Sequence, residues 1–236
     1  IKLFDSINYY DVSGTGYNKT GEITNENNVE RSENVNKLIE GAILCNDSSF
    51  DNKEQKVMGD PTEAALLVLG EKIGLEKNDL NNKFPRLDEI PFDSDRKLMS
   101  TFHNIDSKYT MYIKGAPDEI LSRSKFILDN GEIKEITQEQ ITNIQNANEN
   151  FANNALRVLA VGYREFDGKI NTDFEVENDL IFVGLLGMID PPREEAKDAI
   201  RICKKAGIDV KMITGDHKIT ATAIGRELGI IQEGFG

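Results

Sequence analysis

Two short segments bring together an aromatic residue, two lysines and a pair of very small residues. Phe92-Asp93-Ser94-Asp95-Arg96-Lys97 precedes Lys114-Gly115-Ala116-Pro117 by about twenty residues. The ring of Phe92 can stack on a flat base, and lysine ammonium groups attract phosphate oxygens. A glycine beside an alanine lets the backbone come close to a ligand. If the two segments lie on neighbouring strands, the combination favours a pocket for a nucleotide.

Each of these residues also has an ordinary structural explanation. Taken alone, Phe92 is better explained by packing in the core. A lysine that ends an alternating strand usually belongs to a solvated face, but Lys114 is followed directly by Gly115 and Ala116. Each signal is weak by itself, and it is the set with Lys97 that favours binding.

Two further polar residues have local explanations that compete with ligand binding. Glu63 is the third residue of a predicted helix capped by Asp60, so capping explains it without a ligand. Arg157 enters a predicted strand and is either surface charge or a forked donor to phosphate oxygens. The local sequence favours capping for Glu63 and the surface for Arg157.

The C-terminal part contains two more candidate segments. Thr214, Gly215 and Asp216 follow a predicted buried strand and precede a helix, which is where open α/β sheets bind ligands. Asp216 can bond a ribose hydroxyl or order a metal-bound water, and a helix N-cap explains it equally well. Asp190, Pro191, Pro192 and Arg193 end another predicted strand, and the two prolines stiffen the chain there, so this segment is a candidate hinge.

The elements that must position these residues are predicted from periodicity and capping signals. Apolar residues at helical spacing predict a helix over 35–45, and Asp60 with Pro61 predicts the start of a second. Alternation of period two predicts strands at 90–92, 98–103 and 108–114, and the short linker 104–107 makes the last two a hairpin. Further predictions are short strands within the first thirty residues, a helix near Pro117, a helix capped by Thr137 and Gln140, and a strand over 157–163. The fold class is therefore α+β, an antiparallel sheet flanked by helices.

A different pattern is predicted after residue 180. Leu180 to Ile189 is typical of a buried strand, Glu194 to Lys205 of an amphipathic helix ended by Gly207, and Asp209 to Ile213 of another strand. A helix over Thr220 to Leu228 completes a strand, helix, strand, helix order, which predicts a parallel α/β unit. Two strands cannot complete such a sheet, so this unit is expected to be partial.

Composition and charge limit the classes of partner. The chain has 236 residues, enough for one large domain or one domain and part of another, and its composition is typical of a soluble globular protein. The net charge of −13 works against binding nucleic acid or an anionic membrane. Two distant cysteines and two histidines predict neither a disulfide framework nor a metal site, and a reducing, cytosolic setting fits them. The longest apolar run, Leu180 to Ile189, is too short to cross a bilayer.

Asn18-Lys19-Thr20-Gly21 differs by one residue from Asp-Lys-Thr-Gly, the start of a phosphorylated-aspartate motif. An amide cannot act as the carboxylate nucleophile that forms an acyl phosphate. This segment is therefore interpreted as a turn.

Six motifs, in their order and approximate spacing, resemble those of the P-type cation-transporting ATPases. The exact residues of these motifs most resemble the bacterial calcium-pump branch. They are Cys45-Asn46-Asp47-Ser48, Gly59-Asp60-Pro61-Thr62-Glu63, Phe92-Asp93-Ser94-Asp95-Arg96-Lys97, Lys114-Gly115-Ala116-Pro117, Asp190-Pro191-Pro192-Arg193 and Met212-Ile213-Thr214-Gly215-Asp216. Six ordered motifs are far more specific than any one of them.

The resemblance implies a nucleotide-binding domain over 1–188 and part of a haloacid-dehalogenase-like phosphorylation domain over 189–236. It implies roles for nine residues: Phe92 stacks on adenine, Lys97, Lys114 and Gly115 line the pocket, Glu63 reaches the adenine side, Arg157 approaches the phosphates, and Thr214, Gly215 and Asp216 meet the terminal phosphate or its magnesium environment. ATP or ADP and Mg²⁺ are then the expected ligands. The expected partners are the remaining phosphorylation, actuator and transmembrane domains, in the cytoplasmic portion of a membrane protein.

The chain also departs from the family pattern. The Asp-Lys-Thr-Gly-Thr motif is expected upstream of Ile1 and a Gly-Asp-Gly-x-Asn-Asp magnesium motif beyond Gly236, so the chain alone is expected to be inactive. Ser94 stands where animal calcium pumps often have an arginine, which puts one phosphate contact in doubt.

Three other interpretations stay open alongside the calcium pump. One is a sodium, proton or other cation pump, because transmembrane residues choose the ion. The others are a stand-alone nucleotide-binding module and a dehalogenase-fold phosphatase. The partial α/β unit argues against the module, and the missing nucleophilic aspartate motif argues against the phosphatase.

Overall fold

The structure is a computed structural model that describes residues 1–14, 20–25, 31–51, 56–106, 108–167, 174–188, 194–213 and 218–231. Its strands are β1 (Lys2–Phe4), β2 (Tyr9–Val12), β3 (Ile23–Thr24), β4 (Ser49–Asp51), β5 (Lys56–Met58), β6 (Arg86–Asp93), β7 (Leu98–Ile105), β8 (Lys108–Gly115), β9 (Ser124–Asp129), β10 (Glu132–Glu135), β11 (Arg157–Phe166) and β12 (Leu180–Met188). Its helices are α1 (Glu33–Leu44), α2 (Pro61–Glu71), α3 (Lys77–Lys83), α4 (Pro117–Arg123), α5 (Gln138–Asn153), α6 (Glu194–Lys205) and α7 (Lys218–Glu227), with a 3₁₀ turn at Phe174–Glu177.

One large sheet organises the molecule, in the strand order β3-β2-β1-β12-β11-β8-β7-β6. β11 lies along one edge of β12, while β1 and β9 pair with successive parts of β12 as well. Among the described strands the β9–β12 pair is parallel and the other pairs are antiparallel. Every residue of β12 is buried, as its apolar sequence predicts. The predicted antiparallel sheet with flanking helices is confirmed.

Helices cover both faces of the sheet. α1 packs on β8, β11 and β12, and the fully buried Leu38 and Ile39 belong to that layer of the core. On the opposite face, α4 and α5 cover β11, and Ile144 and Phe151 of α5 are buried in that layer of the core. Each face therefore has its own apolar layer, and the sheet is fixed between the two.

The predicted helix starts are confirmed by their caps. The Asp60 carboxylate accepts hydrogen bonds from the backbone N–H groups of Thr62 and Glu63, at 2.8 and 3.4 Å, with Pro61 as the first helical residue. Thr137 and Gln140 form a reciprocal capping box at the start of α5. The cap at Asp60 fixes where Glu63 stands relative to the sheet.

The described residues do not show the predicted parallel α/β unit. The segment Asp209–Ile213 forms no strand, and the Ile213 side chain is 98% exposed. The strand predicted from Leu180 is present but belongs to the main sheet, where β11 takes one edge and β1 with β9 take the other. Both edges of β12 are occupied, so it offers no free edge for a further strand from the C-terminal part.

The helices predicted in this last part are present. α6 ends before Gly207 and α7 before Gly229, and both glycines have a φ of +73°, the left-handed conformation that commonly ends a helix. Within the described residues, no helix is both long enough and apolar enough to span a membrane.

Candidate functional site

Strand register brings the two segments that contain Phe92 and Lys114 to the same end of the sheet. Asp93 lies opposite Leu98, Leu98 lies opposite Gly115, and Gly115 lies opposite Ala160. Adjacent strands are about 4.8 Å apart, so the end of β6, the turn after it and the end of β8 are close neighbours. The two segments meet at one end of the sheet, but they are not on neighbouring strands as predicted, because β7 lies between β6 and β8.

Lys114 is buried and paired, with only 6% of the residue exposed. Its ammonium group donates a hydrogen bond to Glu63 Oε1. The other oxygen, Glu63 Oε2, accepts from the backbone N–H groups of Asp47 at 2.8 Å and Ser48 at 3.0 Å. The surface interpretation of Lys114 is therefore wrong. The capping interpretation of Glu63 is also wrong, because both of its oxygens bind partners outside α2.

The loop whose N–H groups bind Glu63 also accepts hydrogen bonds through its backbone carbonyl oxygens. Lys77 Nζ donates to the carbonyl oxygens of Asn46 and Ser48, both at 2.6 Å, and Arg86 Nη2 donates to Asn46 O at 2.8 Å. Burial lowers the pKa of the Lys77 amine, and the nearby Arg86 charge lowers it further. We call Cys45–Ser48 the 45–48 loop.

The 45–48 loop is one of the six family motifs, but the sequence alone predicts no role for it. Its cationic partners come from 29 to 40 residues further along the chain, so no local spacing signals them. The loop, Glu63 and Lys114 together form what we call the Lys114 corner.

Gly115 is required by the packing of the protein itself. A Cβ atom at this position would lie 2.1 Å from the carbonyl oxygen of Lys97, far inside contact distance. That same carbonyl accepts a hydrogen bond from the Ala116 N–H at 3.1 Å. Lys97 ends the turn with a φ of +56° and an exposed side chain. The small residues after Lys114 therefore let the backbone of the turn between β6 and β7 pack directly against the end of β8.

Phe92 is exposed to 62%, so the core interpretation of this residue is wrong. We call the segment from Phe92 to Lys97 the Phe92 edge. An exposed ring at the end of a strand has a face free for a planar ligand.

Arg157 is exposed and lies close enough to Asp60 for its charge to act on that carboxyl group. Burial raises the pKa of Asp60, but hydrogen bonds from Thr62 and the Glu63 N–H, together with the Arg157 charge, hold the pKa below its ordinary value. The charge of Arg157 therefore acts on the N-cap residue of α2.

The remaining candidates lie outside the described residues. These are Thr214, Gly215 and Asp216, and the hinge residues Asp190, Pro191, Pro192 and Arg193. Their roles stay predictions. In the part of the chain that the structure describes, no group of three or more His, Cys, Asp or Glu side chains is arranged to hold a metal ion.

A cleft of about 660 Å³ lies elsewhere, between the β1–β2 turn, the β9–β10 hairpin and the start of α5. Its lysine, Lys134, is paired with Asp129 at 2.9 Å and Glu132 at 3.3 Å. A cation neutralised twice is poorly suited to bind phosphate. The chemistry therefore favours the site at the end of the sheet.

An antiparallel sheet between helices, with a buried Lys–Glu pair and an exposed phenylalanine at one end, defines an α+β domain with a candidate ligand site. A family sequence model described as "P-type ATPase, cytoplasmic domain N" matches residues 34–195. This chain belongs to the P-type ATPase family.

The relatives are transport ATPases. "Calcium-transporting ATPase 1" of Lactococcus lactis is 48% identical over 198 residues, covering 84% of this chain and 22% of the relative. "Calcium-transporting ATPase 1" of Bacillus cereus is 45% identical over 222 residues, covering 94% and 24%. "Sodium/potassium-transporting ATPase subunit alpha" of Tetronarce californica is 38% identical over 218 residues, covering 84% and 21%. The chain therefore spans about a quarter of the length of these relatives.

Proposed function

We propose that this chain binds ATP or ADP, with the adenine ring stacked on Phe92 and the rest of the nucleotide directed towards the Lys114 corner. The observation that carries the proposal is an exposed aromatic ring beside a buried Lys114–Glu63 pair at one end of one sheet. Base stacking on an aromatic ring depends little on which base is bound, and it contributes ~1–3 kcal/mol.

The polar residues have separate roles in this proposal. Lys114 lines the pocket with its charge balanced by Glu63, and Glu63 reaches the adenine side. Lys97 and Arg157 are exposed cations, and in this proposal Arg157 approaches the phosphates. They supply local positive charge in a chain whose net charge is −13.

The proposal extends to residues outside the described part of the chain. Residues 1–188 would form the nucleotide-binding domain, and 189–236 would begin a haloacid-dehalogenase-like phosphorylation domain. Asp190, Pro191, Pro192 and Arg193 would be the hinge between them. Thr214, Gly215 and Asp216 would then meet the terminal phosphate or its Mg²⁺ when the domains close. Mg²⁺ bound to ATP neutralises phosphate charge during transfer.

For the whole protein we propose a pump that couples ATP hydrolysis to calcium transport, with this domain on the cytoplasmic side of the membrane. The names of the two bacterial relatives support calcium. The 38% identity to a sodium/potassium pump supports a second candidate, another cation pump with the same nucleotide domain. Transport assays of the whole protein with each ion distinguish the two.

Calorimetry of ADP binding to this chain tests the nucleotide site. Phe92→Ala should weaken binding about tenfold to a hundredfold, since stacking contributes ~1–3 kcal/mol. Leu87→Ala is the matched control, because Leu87 is another exposed apolar residue of the same strand, 49% exposed. Equal affinity of the wild type and a folded Phe92→Ala variant would refute the site.

A second expectation concerns the phosphoryl acceptor. We expect these 236 residues to form no acid-stable phosphoenzyme by themselves, because the amide of Asn18 cannot replace the aspartate nucleophile. Incubation with radiolabelled ATP and acid precipitation should leave no label on the protein. Label that disappears when one aspartate of this chain is mutated would contradict the expectation.

A further inference from the structure

A second buried ion pair joins the Phe92 edge to the 3₁₀ turn. Arg96 Nη1 contacts Glu177 Oε1 at 2.5 Å and Oε2 at 2.6 Å, in a two-oxygen arrangement. The side chain of Glu177 has no exposed surface, and that of Arg96 is 12% exposed. Buried charges of this kind are retained only with close partners, so the pair must form in the folded protein.

Arg96 also contacts the backbone next to the aromatic ring. Its Nη2 donates to the carbonyl oxygen of Pro91 at 2.7 Å, which is the peptide group that leads into Phe92. The turn itself is closed by Asp93, whose Oδ1 accepts from the N–H groups of Asp95 at 3.0 Å and Arg96 at 2.9 Å. One guanidinium group therefore joins the residue before Phe92 to the 3₁₀ turn.

Glu177 is a fixed anchor for that guanidinium. Ser100 of β7 donates to Glu177 Oε1 at 2.6 Å. The backbone of the 3₁₀ turn is held separately by Arg164 of β11, which donates to the carbonyl oxygens of Val176 at 3.2 Å and Asn178 at 2.7 Å. Two arginines thus hold the same short segment, and Arg96 also bonds the backbone that leads into Phe92.

We propose that Arg96 and Glu177 are a positioning pair for the nucleotide site, which holds the backbone before Phe92 so that the ring is oriented for stacking. This inference rests on the proposed nucleotide function. The fully buried Glu177 cannot touch a ligand, so any effect of changing it on affinity acts through Arg96 and Pro91. The role differs from that of Lys114 and Glu63, which line the pocket.

The test replaces both charges together, because removing one partner leaves an uncompensated buried charge, which strongly destabilises the protein. The variant is Arg96→Met with Glu177→Leu. The control is Arg164→Met, which loosens the same 3₁₀ turn without touching the Phe92 edge. A milder variant, Ser100→Ala, keeps the ion pair and removes one hydrogen bond to Glu177.

ADP affinity is measured by calorimetry for each variant, with and without Phe92→Ala. We expect the double variant to bind ADP about three- to tenfold more weakly, a part of the full stacking contribution. Arg164→Met should bind like the wild type, and Ser100→Ala should weaken binding less than the double variant. In the Phe92→Ala background the double variant should cause no further loss, because there is no ring left to orient.

A nucleotide-independent measurement separates this inference from the proposed function. The chain contains 11 phenylalanines, and replacing them with 4-fluorophenylalanine gives each ring a ¹⁹F label. The Phe92 resonance is identified as the one that is missing from the spectrum of Phe92→Ala. The double variant should shift or broaden the Phe92 resonance, and Arg164→Met should leave it unchanged.

An unchanged Phe92 resonance in the double variant, or an equal affinity loss in Arg164→Met, overturns the positioning role. If the wild type binds no ADP while the resonance responds as expected, the positioning of the ring stands and the nucleotide proposal fails.

Discussion

The Lys114 corner and the Phe92 edge lie side by side, yet they are built in opposite ways. In the corner, both oxygens of Glu63 and the ammonium group of Lys114 have partners within the protein. At the edge, the Phe92 ring is largely exposed, and Arg96 of the same segment holds the backbone that leads into it. The corner is therefore preorganised without a ligand, whereas the edge keeps its main contact surface free.

The difference separates stability from affinity. Side chains whose partners are inside the protein contribute mainly to the free energy of unfolding, and their loss leaves buried groups unsatisfied. An exposed ring contributes little to folding and keeps its stacking energy for a ligand. Substitutions in the two regions should therefore change different measurable quantities.

Glu63→Gln should have the largest effect on stability. It leaves the buried ammonium group of Lys114 without a counter-charge, and removing one partner of a buried pair costs about 3–5 kcal/mol. Urea unfolding measures the loss. The control is Glu165→Gln, since the exposed pair between Lys108 and Glu165 should contribute less than about 1 kcal/mol. Equal losses in the two variants would contradict a preorganised corner.

Gly115→Ala should damage both regions, because Gly115 joins them. Its new Cβ would press on the Lys97 carbonyl oxygen, and crowding in a packed region costs about 1–3 kcal/mol. We also expect weaker ADP binding, because the turn that follows Phe92 must move. Gly162→Ala in β11 is the control, where the nearest atom would lie at 3.2 Å. If Gly162→Ala is the more damaging change in urea unfolding, the close approach at Gly115 is not decisive.

The sequence predicted the antiparallel sheet well, because its signals are local. Alternating strands, the cap at Asp60 and the capping box at Thr137 each depend on residues a few positions apart, and all three are confirmed. Strand partners are not local. The apolar run from Leu180 was correctly predicted as a buried strand, but nothing within it indicates that β1, β9 and β11 occupy both of its edges.

The same limit applies to the candidate site. Local sequence favoured capping for Glu63 and core packing for Phe92, and both interpretations were wrong. The Glu63 partners lie 15, 16 and 51 residues away, and Glu177 lies 81 residues from Arg96. Family resemblance had singled out Glu63 and Phe92, because it combines information from the whole motif set. It gave no role to Glu177, which belongs to none of the six motifs.

Asp60→Asn, at the start of the helix that carries Glu63, should make the free energy of unfolding less sensitive to acid. The folded-state pKa of Asp60 is lowered, so its contribution to stability is present above the unfolded pKa near 3.8 and is lost as the pH falls through the folded value. Asparagine keeps the cap but does not titrate, so the variant should lose less stability than the wild type between about pH 5 and pH 3. Asp60→Ala removes the cap and should cost about 0.5–2 kcal/mol at neutral pH. Urea midpoints at several pH values measure the acid sensitivity of Asp60→Asn and the loss of stability in Asp60→Ala. Identical acid sensitivity of the wild type and Asp60→Asn would contradict a lowered pKa of Asp60 in the folded protein.

Phe92→Ala should have the smallest effect on stability of the four. The ring is exposed to 62%, and substitutions at exposed positions without buried partners usually change the free energy of unfolding by less than about 0.5 kcal/mol. The same variant is expected to lose most of its ADP affinity, the reverse of what is typical for a core residue. Urea unfolding and calorimetry on one preparation make the comparison direct. A large loss of stability in Phe92→Ala would mean that the ring is part of the fold, and the distinction between a preorganised corner and an open edge would then fail.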